Sequence, residues 1–165
     1  MENQTNQFTP NKFMKTLSII HLGLISWPTI VAVIVYLNTQ SASFNFADTD
    51  NMFLVVVPIF ALSSVFLGDF IFKQSIKNIP RTSSLKQKLT RFQTASIIKY
   101  GLIEAAAFFG VIGYYMTNNL AFLMISVILI LYFFMLRPTK EKIMRVLNLK
   151  GSDRDQFNRP NQPLE

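Results

Sequence analysis

Four ionisable side chains lie inside otherwise apolar stretches of this sequence: His21, Asp69, Lys99 and Glu104. A charge held in a membrane-spanning helix costs about 2.5–3.5 kcal/mol on insertion scales, so such residues need partners or serve an ion. Helical rise converts sequence position into depth. His21, Asp69 and Lys99 lie three or four residues from the ends of their apolar blocks, which sets them at one level, roughly 5–6 Å inside one boundary. The spacing predicts an Asp69–Lys99 ion pair, with His21 near enough to join. This intramembrane polar cluster reads either as glue between helices, with the lysine reaching toward water, or as an entry path for protons.

Glu104 differs, because it falls near the middle of its block, where a carboxylate is more cheaply held protonated than charged. Tyr100, four residues earlier, shares its helix face and is a candidate donor; Lys99, five earlier, is roughly 140° away. Ser26, Ser63, Ser64 and Ser126 fall at the same estimated depth in the other blocks. Glu104, Tyr100, Ser63 and Ser64 are therefore the ion-binding candidates. The carboxyl either takes up and releases a proton or joins helices as a neutral, hydrogen-bonded group.

Other chemistry is poorly supplied. Cysteine is absent and His21 is the single histidine, which removes disulfides and thiolate nucleophiles and leaves little for a transition metal. The mid-depth serines have His21 as their only histidine base, at another depth, and no phosphate-binding or metalloprotease motif occurs. The sequence reads as non-enzymatic, without cofactor or metal.

The elements that must position these residues are four apolar blocks, at 17–36, 52–72, 95–116 and 120–136. Half of the 165 residues are hydrophobic and 15% are charged, with a mean hydropathy of +0.32. Each block is read as crossing a hydrocarbon core about 30 Å thick, giving an all-α membrane fold of four transmembrane helices. Pro28 and Pro58 should bend their helices without breaking them. A cleaved signal peptide is the competing reading of the first block, but its apolar core is long and Ser41-Ala42-Ser43 is a faint cleavage site.

Orientation follows from Lys and Arg. All sixteen lie before the first block, between the second and third, after the fourth, or at Lys99, and the other two connections hold none. Both termini and the central connection are then cytoplasmic, in a multi-pass protein of a bacterial inner membrane. The same asymmetry accounts for the net charge of +7 without nucleic acid. Residues 1–16 and 151–165 read as mobile ends. Residues 137–150 read as an interfacial basic helix, with Ile143, Val146 and Leu147 on one side and anionic lipid headgroups as partners. The fourth block, nearly free of polar side chains, is assigned to the lipid-facing periphery. Phe108, Phe109, Tyr114 and Tyr115 are assigned to lipid-facing and outer-interface positions.

The run Phe92-Gln93-Thr94-Ala95-Ser96-Ile97-Ile98, then Leu102-Ile103-Glu104-Ala105-Ala106-Ala107-Phe108-Phe109-Gly110, resembles the second helix of subunit c of rotary ATP synthases. Ala61, Gly68, Ile76 and Pro80 extend the likeness into that family's first helix, over residues 61–113. The resemblance implies an ion-carrying carboxylate at Glu104. The sequence departs from the family where Phe66, Phe70 and Phe72 stand in place of a glycine ladder and Asn78-Ile79-Pro80-Arg81 replaces its loop signature. Two functions follow as expectations. One is an accessory or scaffold subunit within a membrane assembly; the other is proton or cation translocation through Glu104. A bundle binding a lipid or small molecule at the serine layer is a third.

Overall fold

The computed structural model describes residues 8–45, 52–80 and 82–164. Six helices follow one another: α1 (Pro10–Asn38), α2 (Phe53–Lys77), α3 (Leu85–Thr117), α4 (Leu120–Met135), α5 (Lys140–Val146) and α6 (Gly151–Asn158). α1, α2 and α3 are each long and apolar enough to cross a membrane; α4 makes a fourth if counted with α5, from which it is bent by 82°. Their outer faces carry large apolar side chains such as Ile30, Leu62, Phe66 and Leu131, all more than half exposed. Water would not tolerate so broad an apolar surface. The family of structure is all-helical, with the apolar character of a membrane protein.

Local chemistry sets the helix ends. Thr9 accepts from the Lys12 amide at 3.2 Å and Pro10 takes the first helical position of α1, where a missing N–H costs nothing. Ser84 and Gln87 form a reciprocal capping box that starts α3. Asn118, at φ 53°, stops α3 in the left-handed conformation, and Asn119 accepts from the Ala121 amide at 3.0 Å to start α4. Both internal prolines are carried inside continuous helices.

α3 is the axis of the molecule, packed against α2, α4 and α1. Gly110 permits the closest approach. A Cβ there would collide with Ser126 Oγ and come within 3.1 Å of the Phe122 carbonyl. The fourth block is therefore not peripheral as expected: Phe122, Ser126 and Phe133 of α4 are fully buried against α3 and its neighbours. Tyr114, expected at an outer interface, is buried in a cluster with Val57 and Phe122.

At the lysine- and arginine-rich end, the described parts of both termini are packed against the helices. α3 starts ten residues before its apolar block, and its first turns bury Leu85, Leu89 and Phe92 with Phe13, Leu17, Ile143, Phe157 and Leu164. Backbone bonds Asn11 N→Pro160 O and Leu164 N→Phe8 O, each 2.9 Å, clasp the start of α1 to the chain beyond α6. A 2.6 Å ion pair joins Lys88 to Asp153. Isolated apolar residues in polar surroundings hold these segments down, because each finds a partner from another element. Ile143 of the short α5 is likewise covered by protein, while Val146 stays 39% exposed. The expected mobile residues 1–7 lie outside the described residues.

Candidate functional site

The expected ion pair is present: Lys99 Nζ meets Asp69 Oδ1 between α3 and α2. Gly68 makes the approach possible, since a Cβ there would stand 3.3 Å from Lys99 Cγ and 3.6 Å from its Cα. The ammonium also lies 5.5 Å from the Phe72 ring centroid and 6.0 Å from that of Tyr132, within cation–π range.

His21 does not join this pair. It is 1% exposed and sits edge-on to Tyr100 and Phe133, at centroid distances of 5.1 and 5.0 Å. Its Nε2 donates to the Phe133 carbonyl at 2.9 Å. Tyr100 turns to the same helix end and donates to the Leu136 carbonyl at 3.1 Å, so it does not serve Glu104 as expected. Lys142 of α5 completes the arrangement, donating to Met135 O at 2.8 Å and Arg137 O at 3.2 Å. The last carbonyls of a helix lack intrahelical donors, and a cation there is favourable. Side chains from α1, α3 and α5 thus cap the C-terminus of α4 where the chain turns. Depth put His21, Asp69 and Lys99 near one level, but the angle around the helix axis gives His21 to α4 and leaves Asp69 and Lys99 to each other.

Glu104 is half-buried near the middle of α3. Among the described residues, no hydrogen-bond or ion-pair partner reaches it. It borders an open groove of about 490 Å³, with Trp27 of α1 and Phe60 of α2 on either side and Gly101, Ala105 and Phe108 of α3 along its floor. A Cβ at Gly101 would meet nothing within 4 Å. No family model, curated protein or solved structure matches the chain.

The serine layer does not converge on this carboxyl. Ser63 is exposed and Ser64 buried, and neither lines the groove. Ser26 is exposed and donates to Leu22 O of its own helix at 2.6 Å. Ser126 is buried between α4 and α3, with Ala107 O at 2.8 Å and Phe122 O at 3.1 Å. Among the described residues, no cluster of three or more His, Asp or Glu could hold a metal ion. Sequence reasoning missed the cap on α4. Its signal was the basic, proline-containing segment Arg137-Pro138-Thr139-Lys140 directly after an apolar block, which marks a helix end whose carbonyls need donors.

Proposed function

We propose that the protein is a non-enzymatic accessory or scaffold subunit of an assembly in a bacterial inner membrane. It crosses four times with both termini cytoplasmic, and it receives a transmembrane helix of a partner subunit in the groove at Glu104. The supporting observation is the carboxyl itself, which no group of this chain satisfies among the described residues although it lies deep in an apolar helix. A partner hydroxyl, amide or cation would supply the missing bond, and leaving the group unmet in hydrocarbon costs several kcal/mol by the usual insertion scale, about 2.5–3.5. Gly101 and Ala105, one helical turn apart, offer the small surface on which another helix backbone can approach. The basic residues of 137–150 face anionic headgroups on the cytoplasmic side.

The test is purification from native membranes in mild detergent, comparing the protein with Gly101→Leu and Glu104→Gln. A co-purifying membrane subunit should be lost with Gly101→Leu, which fills the groove floor, and reduced with Glu104→Gln. Recovery of the same subunit with both variants overturns the docking account.

A second reading keeps support from the same carboxyl: proton or cation movement through Glu104, as the likeness to subunit c implies. An open groove gives an ion-carrying carboxyl access to a partner surface. Proton flux in reconstituted vesicles that Glu104→Gln abolishes would favour it; unchanged flux would remove it.

A further inference from the structure

A second groove, on another face of the molecule, lies between α2 and α4 and shares no lining residue with the one at Glu104. Its volume is about 770 Å³ and its walls are almost wholly apolar, from Pro58 and Ala61 to Leu129 and Tyr132. Asp69 and Lys73 close one end. From Pro58 to Asp69 the helix rises roughly 16 Å, which matches one leaflet of a hydrocarbon core about 30 Å thick. Lys73, one turn further, then stands where phosphate groups lie.

The charges at this end are unbalanced. Asp69 is taken by Lys99, whereas no acidic side chain lies within ion-pair distance of Lys73 among the described residues. An anionic group is therefore complementary to the mouth, and a flexible apolar chain is complementary to the walls. A partner helix fits less well, because Leu62, Phe66, Phe70 and Ile128 stand out along the rim, each more than half exposed. Close helix packing in lipid relies on small residues instead.

We infer that the α2–α4 groove is a binding site for one anionic phospholipid, with an acyl chain laid along α2 and the phosphate held by Lys73. The lipid would complete the weakly packed α2–α4 side of the bundle, where α4 otherwise leans mainly on α3.

Native mass spectrometry of the full chain, delipidated in mild detergent and titrated with phosphatidylglycerol, phosphatidylethanolamine or diacylglycerol of identical chains, tests this. One phosphatidylglycerol per chain should be retained, with the other two bound about five- to tenfold more weakly, the effect of one lysine–phosphate attraction. Lys73→Gln should bring phosphatidylglycerol down to the level of phosphatidylethanolamine. Ile128→Trp, on an exposed position that leaves the core intact, should weaken all three by obstructing the groove. Equal retention of the three lipids, or phosphatidylglycerol binding indifferent to both substitutions, overturns the site and leaves only bulk lipid around the protein. Glu104→Gln should not alter lipid retention, which separates this result from the docking of a partner helix.

Discussion

The C-terminus of α4 and the groove at Glu104 use similar residue types to opposite ends. At the first, His21, Tyr100 and Lys142 converge on carbonyls that the helix itself leaves open, and the rings stack tightly enough to exclude solvent. At the second, a carboxyl on the same central helix stands beside open space. The difference separates polar side chains that close a helix end, with His21 Nδ1 left buried and unpaired beside them, from a carboxyl that borders an open groove. Burial alone does not make the distinction; the identity of the donor and acceptor on the far side does.

The largest expected effect comes from opening the closed region. His21→Ala removes a fully buried ring and its bond to Phe133 O, and should cost about 2–4 kcal/mol through the cavity and the lost donor. A marked fall in the thermal midpoint of the purified protein would show it. If the midpoint stays put, the α4 cap is not a structural keystone.

Two glycines of α3 sharpen the contrast. Gly110→Ala forces a methyl into Ser126 and should destabilise by about 1–3 kcal/mol, whereas Gly101→Ala enters open space and should gain about 0.5–1 kcal/mol from helix propensity. Thermal midpoints moving in opposite directions would bear out the assignment of a closed and an open face. The smallest effect belongs to Glu104→Gln in the isolated protein, within about 0.5 kcal/mol. A larger loss would mean that the carboxyl already has a structural partner within the chain.

Much of the helical plan was legible because hydrophobic length is a local property. The apolar blocks around Leu17, Phe53 and Leu120 correspond to α1, α2 and α4, and depth counting paired Asp69 with Lys99 because helical rise is fixed. Rotation about the helix axis was not legible in the same way. His21 turns toward α4 and not to the ion pair, Tyr100 turns toward α4 and not to Glu104, and the serines turn away from Glu104, since packing partners decide which face is covered. The early start of α3 hid beneath its lysines, although Ser84-x-x-Gln87 and the spacing of Leu85, Leu89 and Phe92 carry it. Phe157 and Leu164 are too sparse to form a periodic pattern; distant residues such as Phe8, Phe13, Leu85 and Leu89 give them somewhere to go.

The clasp between Phe8 and Leu164 has a counting consequence for the proposed placement. If both ends lie on one face of a bilayer as proposed, the chain between them crosses an even number of times, and the three long helices would need a fourth crossing beside them. The sixteen residues of α4 would then make the return journey with a rod of about 24 Å, some 6 Å short of a usual hydrocarbon core. In that placement the bilayer beside α4 would pinch inward, and the arginine and lysines just past its end would be suited to pulling headgroups down to meet it.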